Sequence, residues 1–236
     1  MNIDGSIALV TGANRGLGRA FAAHLLERGA TKVYAAARRP EAVDLPGVEP
    51  VRLDITDPAR VAELAGELGD VTLLINNAGT SAGVRLLDAG SDGLRDALGT
   101  HLFGSLDTAR AFAPVLARNG GGAIVNVLSA LSWLALPSAT TYHVAKAAEW
   151  GLTNGLRLEL LDQGTLVTGL HLGAADTDMT GDYDGPKLDP ADVARAALDG
   201  VEAGAWEVLA DDWSAQVKAA LAGDPRDFHA AIAGMF

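Results

Sequence analysis

Short apolar runs alternate with longer amphipathic stretches along the whole chain. Residues 7–10, 32–37, 48–53, 71–75, 123–128, 166–172 and 206–210 form runs of four to seven mostly apolar residues. Runs of that length, without strict polar alternation, predict strands covered on both faces, as in a parallel sheet. Helical spacing fills the gaps. After the first run, Leu17, Ala20, Phe21, His24 and Leu25 share one helix face, and Gly29 supplies a C-terminal stop. Asp57 and Pro58 suit the cap and first position of the helix after the third run. A long helical pattern spans about 92–118, interrupted by Gly99, Gly104 and Pro114, and another runs to about 162. Residues 173–188 are polar, glycine-containing and irregular, which suits a lid. Asp189 and Pro190 restart a helix, and the tail is helical and amphipathic. No linker or shift in composition divides residues 1–236, so the pattern predicts one α/β domain built on a doubly wound parallel sheet.

The turn after the first strand carries the first chemical signal. Thr11-Gly12-x-x-x-Gly16-x-Gly18 joins an apolar strand to an amphipathic helix. That arrangement aims unpaired backbone N–H groups and the helix dipole at an anion, although such turns also occur without a ligand. In a Rossmann-type unit the residue about 20 positions beyond the glycines faces the adenosine ribose. An acidic residue there binds the 2′-hydroxyl of NAD; this chain has Arg38 and Arg39 instead, and Arg15 in the turn is a third cation. Arginine forks match phosphate geometry. The alternative is a solvated basic patch, but with a net charge of -12 three converging arginines favour NADP. Asp54 either accepts a hydrogen bond from an adenine amino group or simply ends the third strand. Asn76-Asn77-Ala78-Gly79 breaks the fourth abruptly, and its small residues admit a cofactor close to the backbone.

The acidic balance disfavours nucleic acid and anionic membranes as partners. The absence of cysteine excludes disulfides, thiolate metal sites and cysteine nucleophiles, and no metal site is predicted. The N-terminus has no basic region before an apolar core, and no segment has the length of a membrane span, so a cytoplasmic protein is expected.

A second signal lies between Ser129 and Lys146. On a helix, Tyr142 and Lys146 sit one turn apart on one face. A phenol ordinarily loses its proton near pH ~10. An ammonium roughly 6 Å away contributes about 3 kcal/mol at an effective dielectric near 20, enough to bring the phenol towards neutrality. Ser129, at the end of the fifth strand, supplies a hydroxyl beside it. The same spacing also suits a half-buried aromatic with a solvated lysine neighbour, and the triplet alone leaves both readings open.

Taken together, Thr11-Gly12-x-x-x-Gly16-x-Gly18, Asp54, Asn76-Asn77-Ala78-Gly79, Ser129, Tyr142-x-x-x-Lys146 and Thr177 resemble the short-chain dehydrogenase/reductase family over nearly the whole chain. The resemblance implies that Tyr142 is the acid–base, that Lys146 depresses its pKa and holds the nicotinamide ribose, and that Ser129 steadies the substrate oxygen. It implies NADP(H) held by Gly12, Asn14, Arg15, Gly16, Leu17 and Gly18 at the pyrophosphate, by Arg38 and Arg39 at the 2′-phosphate, and by Asp54 and Ile55 at adenine. Asn77, Ala78 and Gly79 would line the groove, with Gly173 and Thr177 at its far end. Trp133, Leu134, Leu136, Ser138, His171, Met179 and Tyr183 lie in loops or strand ends that would surround the nicotinamide, or else serve ordinary packing; on the first reading the substrate is a small, mainly apolar carbonyl or alcohol. A homodimer or homotetramer would form through the small-residue helix faces of Gly104, Ser105, Thr108, Ala145, Ala148 and Gly151. Two positions depart from the family. His101 stands where many members have an asparagine that holds a relay water. Its imidazole could hold that water, transfer protons with a pKa nearer neutrality, displace the water, or be a core histidine satisfied by a carbonyl. Leu172-Gly173 stands where Pro-Gly is usual. His101 leaves two alternatives to carbonyl chemistry: reduction of a C=N bond, or a non-catalytic NADP-binding regulator.

Overall fold

The computed structural model describes residues 1–80 and 84–233; the last three residues of the predicted tail lie outside it. The apolar runs form strands β1 (Ile7–Thr11), β2 (Lys32–Ala37), β3 (Glu49–Arg52), β4 (Leu73–Asn76), β5 (Gly122–Val127), β6 (Thr165–His171) and β7 (Glu207–Leu209). All pair in parallel, in the order β3-β2-β1-β4-β5-β6-β7. The chain winds outwards from β1 to β3, then returns to β4 on the other side of β1. That reversal opens a crevice beyond the carboxyl ends of β1 and β4.

Both faces of the sheet are covered, which is why its strands read as unbroken apolar runs. Successive β1 residues alternate: Ala8 and Val10 join one core, and Leu9 joins the other. The first core is closed by α1 (Gly16–Glu27) and α6 (Pro190–Glu202), which contribute Phe21, Leu25, Leu198 and Val201. The second is closed by α2 (Pro58–Glu67), α4 (Ser105–Arg118) and α5 (Thr140–Glu159), with Leu64, Phe112, Leu116 and Leu156 at its centre. A polar ladder crosses that second layer. Asn76 Nδ2 donates to Asn126 Oδ1 at 2.9 Å, Asn126 Nδ2 to Thr153 Oγ1 at 2.9 Å, and Thr108 Oγ1 to Asn76 Oδ1 at 2.8 Å. No described helix is long and apolar enough to cross a membrane.

The predicted long helix is three pieces: α3 (Gly90–Leu98), a π-helical stretch Gly99–Gly104, and α4. Its two glycines bound the widened turns instead of ending the helix, and such turns are frequent at functional sites. Pro114 sits inside α4 on its exposed face, where water can take the carbonyl that the ring leaves unbonded. The small-residue stripe differs from expectation. Gly104, Ser105, Thr108 and Ala145 are buried within the chain; a Cβ on Gly104 would come 2.8 Å from Ile55 Cδ1. They permit close packing of the helices onto this chain's own sheet.

Candidate active site

Beyond β5 the chain stays bonded alongside β6, Leu128 and Ala130 donating to the Leu170 and Leu172 carbonyls, with Ser129 extended between them. The Ser129 hydroxyl accepts from Leu131 N–H at 3.1 Å and caps the short 3-10 turn Ala130–Ser132. The first turn of α5 brings Tyr142 over it. Thr141 and Thr140 fix that turn by accepting from the backbone N–H groups of Val84 and Leu86 at 2.9 and 2.8 Å. The Ser129 hydroxyl lies close enough to the Tyr142 phenol to pull its pKa down, and Lys146 Nζ lies 5.8 Å from the Tyr142 ring centre.

Burial reverses the expected direction of the phenol. Desolvation raises the Tyr142 pKa; the Lys146 charge and the Ser129 hydroxyl oppose it, and the carboxylate of Glu149 adds to the rise. Glu149 lies one turn beyond Lys146 and is 2% exposed. Its Oε2 accepts from Lys146 Nζ at 2.7 Å, and its Oε1 accepts from Ser105 Oγ at 2.8 Å. Lys146 also donates to the Val127 carbonyl at 2.7 Å. Burial alone would lower the Lys146 pKa; Glu149 and Tyr142 together outweigh it and the net direction is up. The lysine is therefore half of a buried ion pair, not a lone charge facing the phenol.

His101, from the π-helical stretch, packs edge-on against Tyr142 with ring centres 5.3 Å apart. Its Nε2 is 3.0 Å from the Thr80 carbonyl oxygen. Nδ1 has no hydrogen-bond partner and lies 3.8 Å from Glu149 Oε2. Burial, aided by the Lys146 charge, lowers its pKa to about 3, so it is a neutral core imidazole and not one that titrates near neutrality. Gly79 makes room for it: a Cβ there would fall 2.7 Å from His101 Cε1.

Every candidate except Arg39 lines one groove of about 1190 Å³ across the carboxyl ends of the strands. Gly12 and Gly16 adopt left-handed φ values of +67° and +53° in the turn. A Cβ on Gly18 would fall 2.2 Å from the Gly12 carbonyl oxygen, so only glycine permits this approach. Thr11 and Asn77 clamp the turn to the end of β4. Asn77 Nδ2 donates to the Thr11 carbonyl at 2.8 Å, and Thr11 Oγ1 accepts from Ala78 N–H at 3.0 Å. Thr177 lies against Gly16, its Cγ2 3.0 Å from where a Cβ would stand. Gly173 donates its N–H to Asp211 at 2.7 Å.

The turn fits a dinucleotide. α2, α6 and α7 (Asp212–Ala220) each begin with an aspartate that accepts first-turn N–H groups, whereas α1 has no side-chain cap, which suits a diphosphate there. Arg38 is exposed at the far end of the groove beside Asp54, which accepts from Thr56 Oγ1 at 2.7 Å. Of the other two arginines, Arg15 lines the same groove and gives one N–H to Asp178 at 2.5 Å, whereas Arg39 precedes the short turn Pro40–Ala42 outside the groove. A further cation stands beside Arg38. Arg52 pairs in register with Ala37, next to Arg38, and both line an adjoining hollow of about 720 Å³. Only the strand pairing reveals it.

The far wall also departs from expectation. Leu136, Ser138, Met179 and Tyr183 line the groove, but Trp133, Leu134 and His171 are buried behind it, Trp133 stacked on His171 at 3.8 Å. Trp213 of α7 and Arg95 and Asp96 of α3 take places on the wall instead. Glu149, Arg52 and Trp213 carry no family spacing, and only tertiary contacts bring them to the site.

With this geometry in view, comparison with known proteins is specific. The sequence model of the short chain dehydrogenase family matches residues 6–187. An uncharacterized oxidoreductase of Staphylococcus aureus is 33% identical over 205 residues, covering 81% of this chain and 89% of its own length. The 3-oxoacyl-(acyl-carrier-protein) reductase of Vibrio harveyi is 32% identical over 189 residues, covering 76% and 78%. A short chain dehydrogenase from Burkholderia cenocepacia, crystallised with NADP, is 40% identical with a TM-score of 0.93, over 98% of both chains.

Proposed function

The chain belongs to the short chain dehydrogenase family, and from that premise we propose that it is an NADP(H)-dependent oxidoreductase of carbonyls and secondary alcohols. One observation carries the reading: the Ser129 hydroxyl, the Tyr142 phenol and the Lys146 ammonium meet in the groove that also holds the glycine turn and Arg38. The Burkholderia relative's NADP supports the choice of cofactor. When bound, the reduced nicotinamide supplies the hydride. Tyr142 gives its phenolic proton to the carbonyl oxygen as the carbon is reduced, and takes one back in the alcohol-oxidising direction. Ser129 donates to that same oxygen and steadies its charge. Lys146 has two of its N–H bonds on Val127 and Glu149, and the third remains for a ribose hydroxyl.

Leu131, Leu136, Met179, Tyr183 and Trp213 favour a mainly apolar substrate. Residues 173–188 act as the lid. The lid's base is pinned by the Ala175–Leu188 bridge, and Asp178 ties it to Arg15. The protein works in the cytoplasm as a homodimer or homotetramer. Exposed Phe103 of the π-helical stretch, Leu158 of α5 and Leu161 in the turn just beyond it support the association, and sedimentation distinguishes the two states.

The test is NADPH consumption across a panel of ketones, aldehydes and cyclic imines. Tyr142→Phe should lower carbonyl turnover about 100-fold or more while NADPH still binds. Full activity in that variant overturns the acid assignment. Turnover of imines alone, or binding with no turnover, would shift the reading to C=N reduction or to a regulatory role.

A further inference from the structure

Behind the phenol lies a carboxylate that the carbonyl reaction does not itself require. Glu149 sits on the same α5 face as Tyr142 and Lys146, seven and three residues away. It is fully enclosed: Lys146 Nζ reaches Oε2 from α5, Ser105 Oγ reaches Oε1 from α4, and His101 faces Oε2 from the π-helical stretch. From β5 the lysine meets only the Val127 carbonyl, and the turn beyond β5 brings the Ser129 hydroxyl to Tyr142. Among the described residues the titratable groups facing this centre are therefore Tyr142, Lys146, Glu149, a His101 that stays neutral and, from β6 behind Ser129, a His171 that also stays neutral. Lys146 and Glu149 share one proton across 2.7 Å. Whichever atom holds that proton, the pair carries no net charge.

We propose that Glu149 is a positioning residue that anchors and neutralises Lys146, so that Tyr142 keeps its proton and the site is set for carbonyl reduction over alcohol oxidation. The proposal rests on the acid–base role of Tyr142 given above. A phenolate beside a lone ammonium gains a counter-charge; beside a neutral pair it is a buried, uncompensated anion. The raised Tyr142 pKa, to which both burial and Glu149 contribute, agrees with this. Glu149→Gln keeps the shape and removes the charge, leaving Lys146 to stabilise the phenolate.

The readout is phenolate absorbance in the near ultraviolet, taken as the difference between a protein and the same protein carrying Tyr142→Phe, because the chain has three tyrosines. In the wild type the Tyr142 midpoint should lie above about 10, and Glu149→Gln should lower it by about one pH unit or more. The acid limb of alcohol oxidation should move down with it. A Glu149→Gln midpoint that stays put, in a variant that melts normally, overturns the proposal. If that variant does not fold, a wild-type midpoint at or below about 9 overturns it equally. The titration needs no turnover. A shift without carbonyl activity sinks the proposed reaction and keeps the charge argument; activity without a shift does the reverse.

Discussion

Arg38 is the single side chain on which the proposed cofactor choice turns. It stands at the end of β2 with its guanidinium exposed, and Arg52 reaches its neighbourhood from β3. A 2′-phosphate would receive charge-assisted bonds there that a 2′-hydroxyl cannot match. Arg38→Asp should weaken NADPH about 10- to 100-fold in fluorescence titration while NADH changes far less. Equal loss for both nucleotides would count against the assignment. Arg52→Ala should weaken NADPH by a smaller factor and leave NADH alone. Arg15 illustrates the opposite lesson. Its place in the glycine turn makes it a candidate, but one of its N–H groups already pairs with Asp178. Arg15→Ala therefore tests the contact with the proposed lid as well as phosphate affinity.

Elements impose a different constraint, that of close approach. The strand–turn–helix unit β1–α1 depends on Gly18 lying against the Gly12 carbonyl and on the Asn77 amide clamping both to β4. Gly18→Ala must push the turn apart. It should lower NADPH affinity by about tenfold or more and cost about 1–3 kcal/mol in denaturant melts. Between β4 and β5 the buried Asn76–Asn126–Thr153 ladder holds the strands that carry Asn77 and Ser129. Asn126→Ala would leave Asn76 Nδ2 with only a long bond to the Ser105 carbonyl and Thr153 Oγ1 with only its bond to the Glu149 carbonyl, and should cost about 1–3 kcal/mol; a change under about 0.5 kcal/mol would show that water replaces the amide.

For the whole molecule, two buried histidines tie stability to pH. His101 and His171 both have folded pKa values lowered to about 3, chiefly by burial. In the unfolded chain they titrate near about 6.5. Between these values the unfolded state binds more protons, so stability falls as pH drops from about 6.5 towards 3 and is fully present above that window. Each histidine contributes on the order of 1.4 kcal/mol per pH unit there. Melts at successive pH values should show a shallower acid slope for His171→Asn than for the wild type. An unchanged slope would mean that His171 is already protonated in the fold. Sedimentation belongs at this scale too, with a dimer or tetramer expected and a monomer counting against the outer faces of α4 and α5 as an interface.

The order of strands and helices, the parallel sheet and the chain of motifs from Gly12 to Thr177 were legible in the sequence. Period and spacing are local properties: a strand buried on both faces must be apolar throughout, and a tyrosine and lysine four apart on a helix must share a face. Tertiary structure alone decided what those residues meet. Glu149 is one more polar residue on a helix until α4 closes Ser105 and His101 around it. Arg52 becomes a neighbour of Arg38 only through the β2–β3 register, and Trp133 lies behind the groove, stacked on His171 and packed among Leu134, Trp150 and Val217. Charges and hydroxyls act through distance and desolvation. Neither is encoded by position along the chain, so the sequence named the reacting groups and the fold set the direction in which the phenol is pushed.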